Sequence, residues 1–142
     1  MSRIFRLAVA LFLLTSAVAC GATDTPTAPS ANVPFTRTDL RIGTGAEVVI
    51  GRTLVVNYTG WLYSTTGTDN KGTQFDSGSN FPFVLGAGTV IAGWTQGFTG
   101  MRVGGQRRLL IPPDLGYGAA GRPPTIPGNS TLVFDVELAA IQ

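Results

Sequence analysis

Residues 88–98, GTVIAGWTQGF, carry a helical periodicity in a composition that opposes a helix. Ile91, Trp94, Phe98 and, one turn further, Met101 fall at i, i+3, i+7 and i+10, the spacing of one helix face. Gly88, Gly93, Gly97 and Gly100 lie in or beside the stretch, and each glycine costs about 1 kcal/mol against alanine inside a helix. Val90, Ile91, Thr95 and Thr99 are β-branched, which lowers helix propensity further. Such a helix holds only where tertiary packing supplies what propensity lacks. The expectation is one short helix, brought close to a neighbouring backbone at Gly93 and Gly97, with Ile91, Trp94 and Phe98 turned to the core. Periodicity by itself makes Trp94 a core residue.

Around this helix the period is two. In TLVFDVEL, 131–138, Leu132, Phe134, Val136 and Leu138 share one face, and Val133, Asp135 and Glu137 the other. RTLVVNYTGWLY, 52–63, is β-branched and aromatic, with Val56, Tyr58 and Leu62 on one face. QRRLLIPP, 106–113, pairs Leu109 with Ile111 and stops at two prolines, FPFVLG, 81–86, is a shorter strand candidate, and TDLRIGTG, 38–45, is an edge candidate. STTGTDNKGT, 64–73, reads as a polar connection. DLGYGAAGRPPTIPGNS, 114–130, reads as a long loop of the kind that often carries function, stiffened by Pro123, Pro124 and Pro127 around Tyr117 and Ile126. The predicted fold class is α+β: a mostly antiparallel sheet with one short helix on its concave face.

The start of the chain is different. Residues 1–20, MSRIFRLAVALFLLTSAVAC, place Arg3 and Arg6 before an apolar run and then small residues, the layout of a secretory signal. Cys20 is the sole cysteine, so no internal disulfide forms. AVAC resembles a bacterial lipobox, which would make Cys20 a site of lipidation, although Ala17-Val18-Ala19 also suits ordinary signal cleavage and a soluble exported product. Residues 21–35, rich in Pro, Thr and Ala, read as a flexible tether, leaving 36–142 for one domain. The expected location is outside the cytoplasm, on a membrane facing the periplasm or cell surface.

Charge and composition exclude several chemistries. Without Arg3 and Arg6, eight cations balance eight acids, and no basic stripe or motif suggests nucleic acid as a partner. The chain has no histidine, which removes Ser-His-Asp and Cys-His catalysis, and one cysteine makes no zinc site. GTG at 43–45 and GAG at 86–88 do not continue to a GxGxxG fingerprint. No metal and no cofactor is expected.

VVNYTGWL (55–62), QFDSG (74–78), FPFVLGAGTVIAGW (81–94), GMRVGGQRRLLIPPDLGYG (100–118) and TLVFDVEL (131–138), in this order, resemble the FKBP-type peptidyl-prolyl cis-trans isomerases. The resemblance runs from about Thr38 to Gln142, and VIxGW and PPxLGYG are its most specific parts. It implies a half-barrel of mostly antiparallel strands wrapped around one short helix. Position by position it implies a site in which Tyr58, Asp76, Trp94 and Tyr117 are catalytic, and Phe75, Phe81, Val90, Ile91, Ile126 and Phe134 bind substrate. Trp94 would floor the pocket beneath a proline ring, and the Ile91 N–H and Tyr117 hydroxyl would hold substrate carbonyls. Implied partners are proline-containing polypeptides and macrolide inhibitors of the family, with a membrane reached through a lipid anchor at Cys20 and a monomeric state. Thr125 stands where the family commonly has an apolar residue. The competing readings are a proline-binding module or chaperone that uses the same pocket without turnover, and a plain structural domain.

Overall fold

The structure, a computed structural model, describes residues 33–142; the signal, Cys20 and most of the tether lie outside the described residues. Five strands, β1 (Thr36–Arg41), β2 (Thr53–Tyr63), β3 (Lys71–Val84), β4 (Gln106–Ile111) and β5 (Leu132–Ile141), form one sheet in the order β1-β4-β5-β2-β3. Every neighbouring pair is antiparallel. The single α-helix, α1 (Ala92–Phe98), lies between β3 and β4 in the chain and packs over the inner face.

Alternation decides that face. Leu54 and Val56 of β2, Leu109 and Ile111 of β4, and Leu132, Phe134, Val136 and Leu138 of β5 are all buried, and they meet Trp94 and Phe98 of α1 in one core. Gly93 and Gly97 set the helix close to β4: a Cβ at Gly93 would stand 2.5 Å from Ile111 Cγ2, and one at Gly97 2.5 Å from Leu109 Cδ1. Helix propensity is given up for this approach. Arg107, on the inner face of β4 and 7% exposed, donates to the carbonyl oxygens of Gly97 at 2.8 Å and Thr99 at 3.0 Å, and pairs with Asp39 at 2.6 Å. A cation thus satisfies carbonyls at the helix C-terminus, where the helix dipole favours it.

Three expectations are corrected. The helix has only seven residues; Ile91 is its N-cap, and Met101 lies beyond its end, though still buried at 2% exposure. The edge strand is Thr36–Arg41 and not 38–45. Most notably, β3 begins at Lys71, inside what reads as a polar connection, and runs through the whole of 74–80. Its pairing with β2 slips between Val56 and Tyr58, between Gly60 and Trp61, and between Trp61 and Tyr63, so extra residues on β3 interrupt the period of two.

Candidate active site

Between α1, strands β2 and β3 and the 114–130 loop lies a cavity of about 530 Å³. Its wall brings together Tyr58, Asp76, Phe81, Val90, Ile91, Trp94, Tyr117 and Phe134, eight of the ten pocket residues singled out in the sequence. A broader groove of about 650 Å³ crosses the outer face of the sheet and is lined mainly by polar residues such as Asn57, Ser77, Gln106 and Glu137.

The floor is Trp94, 5% exposed. Tyr58, Phe81 and Phe134 each present their ring edge-on to it, with centroid separations of 5.0, 6.2 and 5.4 Å and interplanar angles of 75°, 80° and 83°. This edge-to-face arrangement is the favoured one for aromatic pairs. The Trp94 indole N–H is buried without a hydrogen-bond partner among the described residues. An orphaned buried donor is a cost, and a phenylalanine would not carry it. Stability alone therefore does not account for the indole.

The polar side of the cavity is built by the irregular β3. Bulges re-aim side chains, and here Asp76, opposite Gly60, accepts the Tyr58 hydroxyl at 3.0 Å, while its other carboxylate oxygen accepts the Ser77 N–H at 2.8 Å. Gly78, paired with Tyr58, makes this possible: a Cβ there would lie 2.6 Å from Tyr58 Cε1. Burial, the hydrogen bond to Asp76 and the charge of Asp76 push the Tyr58 phenol up to about 12, so it stays a neutral donor across the physiological range. The N–H of Ile91 and the hydroxyl of Tyr117 make no hydrogen bond within the described residues, which leaves two donors free at the cavity wall.

Two expected residues stand outside the wall. Phe75 packs behind it, its ring edge-on to Phe134 at 5.4 Å and 88°, across the space that Gly60 leaves open. Ile126 is 1% exposed and belongs to the core, anchoring the loop whose backbone it closes by exchanging hydrogen bonds with Arg122 at 2.8 and 3.0 Å. Thr125 turns its hydroxyl to the Arg122 carbonyl at 3.3 Å. Conversely, Gly88, Thr89 and Arg122 line the cavity without being among the expected site residues: Gly88 reads in the sequence as a glycine that opposes the helix, and Arg122 as part of the long 114–130 loop. Among the described residues no group of three His, Cys, Asp or Glu side chains is placed to hold a metal.

The sequence profile of the family described as FKBP-type peptidyl-prolyl cis-trans isomerase matches residues 45–139. The chain is 45% identical over 107 residues to an FK506-binding protein of Neisseria meningitidis serogroup A, covering 72% of this chain and 92% of that one. It is 44% identical over 108 residues to FK506-binding protein 1 of Gibberella zeae, covering 74% of this chain and 96% of that one. Among solved structures, a peptidyl-prolyl cis-trans isomerase of Pseudomonas syringae pv. tomato superposes with a TM-score of 0.65 at 35% identity, covering 76% of this chain and 75% of that one. The family profile, the sequence identity to these relatives and the shared fold agree, and the chain belongs to the FKBP-type peptidyl-prolyl cis-trans isomerases.

Proposed function

We propose that the cavity floored by Trp94 is where this isomerase turns X-Pro bonds, and that it does so on polypeptides outside the cytoplasm, held to a membrane through Cys20. The observation that carries the site is the set of three rings edge-on to Trp94 beside the Tyr58–Asp76 hydrogen bond.

The chemistry asks for no acid, base or metal. Rotation about the amide is opposed by a barrier of roughly 18–20 kcal/mol, because twisting destroys resonance, and the uncatalysed exchange at X-Pro takes tens of seconds or longer. No bond is made or broken, so a catalyst need only bind the twisted imide better than the planar one. Twisting reduces charge separation between carbonyl oxygen and nitrogen. A dry wall of Trp94, Tyr58, Phe81 and Phe134 therefore disfavours the planar form relative to the twisted one. The free Ile91 N–H and Tyr117 hydroxyl are suited to hold neighbouring carbonyls, and Asp76 fixes the Tyr58 hydroxyl at the cavity wall. Relatives named as FK506-binding proteins make macrolides a ligand class for the same cavity.

The extracytoplasmic setting rests on the signal-like residues 1–20 ending in Cys20, and no oligomer interface is needed to complete the site. Two experiments test this reading. Refolding of a protein limited by an X-Pro step should accelerate with added enzyme and slow again under excess short proline peptide; no acceleration contradicts the catalytic role. Expressed in a bacterium, the chain should fractionate with membranes and the Cys20→Ser variant should not. Equal fractionation of the two removes the anchor.

A further inference from the structure

Arg122 is the one charged residue of the cavity whose side chain has no partner among the described residues. Of the eight cations among the described residues, Arg41, Lys71, Arg102, Arg107 and Arg108 are in ion pairs and Arg37 donates to backbone carbonyls. Arg52 and Arg122 are not engaged, and of these only Arg122 lines the cavity. Its backbone is fixed by two hydrogen bonds with Ile126, whose side chain is sunk in the core, so the guanidinium projects from a tied loop. The other charge at the cavity, Asp76, is occupied on both oxygens by the Tyr58 hydroxyl and the Ser77 N–H, and it forms no ion pair with Arg122. The charge on Arg122 reaches the site, since it acts to lower the Tyr58 phenol against the larger effects that raise it.

We infer that Arg122 is a specificity residue: it pairs with an acidic side chain next to the isomerising proline, so that among polar neighbours of like size the enzyme prefers Glu over Gln or Lys beside proline. A guanidinium offers a carboxylate two parallel N–H donors, and pairing here displaces no existing partner. This inference rests on the cavity being the X-Pro site.

The test uses two peptide series, one varying the residue before proline and one the residue after it, each with Glu, Gln and Lys. Both binding and kcat/KM are measured for the wild type and for Arg122→Gln, Arg122→Lys and Arg122→Glu. At low salt the wild type should favour Glu over Gln in at least one series by about two- to fivefold, the range for an exposed ion pair. The preference should shrink as salt is raised, fall to one in Arg122→Gln, persist in Arg122→Lys and invert in Arg122→Glu. Arg122 is exposed, so the variants are expected to fold, and a ratio taken within each variant is insensitive to a general loss of activity. Equal rates and affinities for Glu and Gln in both series, or a preference for Lys, overturn the inference and leave the isomerase site standing. Glu-selective binding that Arg122→Gln abolishes, without turnover of any peptide, upholds charge selection and removes the catalytic reading of the cavity. Neither binding nor turnover overturns both.

Discussion

Tyr58 concentrates the chemistry of the site in one side chain, because its ring forms part of the apolar wall while its hydroxyl is held by Asp76 at 3.0 Å. Tyr58→Phe keeps the ring and removes the hydrogen bond; a bond of that kind is worth about 0.5–1.5 kcal/mol, so kcat/KM should fall by about two- to tenfold. An equilibrium denaturation curve that drops by no more than the worth of that hydrogen bond, with the variant fully folded under assay conditions, would show that the loss is not one of folding. The phenol supplies an independent check. Its affinity for the proton is raised in the fold to about 12, so any stability it contributes is fully present below pH about 10 and is lost as pH rises through about 12. In an ultraviolet titration, the phenolate absorbance missing from Tyr58→Phe should appear at pH about 12; a Tyr58 phenol that ionises near 10 would remove the Asp76 contact as described. Of the aromatic residues that line the cavity, Trp94 and Phe134 stand in the sequence as inward-facing positions by their periodicity, whereas their place in a pocket, like that of Phe81, comes only from the family resemblance. Arg122 was not legible, since a charged residue in a Gly-Pro loop looks the same whether it faces solvent or a cavity.

At the scale of elements, the helix shows what propensity misses. Alanine at Gly93 or Gly97 would improve intrinsic helicity by about 1 kcal/mol, yet its Cβ would meet Ile111 or Leu109, both fully buried. Overpacking of a filled core costs about 1–3 kcal/mol, so both substitutions should lower the midpoint of urea unfolding, Gly93→Ala more because three Ile111 atoms lie within 2.9 Å of the added carbon. A rise in midpoint would mean that the helix does not sit as close to β4 as described. The strands with clean alternation, β2, β4 and β5, were readable from their residues, and Leu132, Phe134, Val136 and Leu138 all reach the core that the pattern assigns them. Strand β3 was readable only at its end. KGTQFDSGSN has two glycines and little apolar content, and the bulges that place Asp76 beside Tyr58 are the same irregularities that erase a period of two. The feature that builds the site is thus the one that hides the strand.

For the whole molecule, the outer face of the sheet carries a charge cluster that should govern acid stability. Asp135 on β5 accepts from Arg108 of β4 at 2.7 and 2.9 Å and from Lys71 of β3 at 2.6 Å, and thereby ties distant strands together. Burial by itself would raise the Asp135 carboxyl, but the hydrogen bonds and charges of Arg108 and Lys71 outweigh it and hold the group below the usual carboxylate range. A depressed value means stability that is present above the ordinary carboxylate range and lost as pH falls through the lowered one. Asp135→Asn should therefore cost about 1–3 kcal/mol at neutral pH, and the gap to wild type, read from urea unfolding, should close as pH falls toward 2; a gap independent of pH would place the stabilisation elsewhere. Whether the cavity turns X-Pro bonds is decided by a protease-free isomerisation assay on short X-Pro peptides with wild type, Tyr58→Ala and Asp76→Ala, their folding confirmed by circular dichroism. Turnover by wild type that drops several-fold or more in the two folded variants is the expected result. Folded variants that isomerise at the wild-type rate would contradict the assignment of the cavity as the active site.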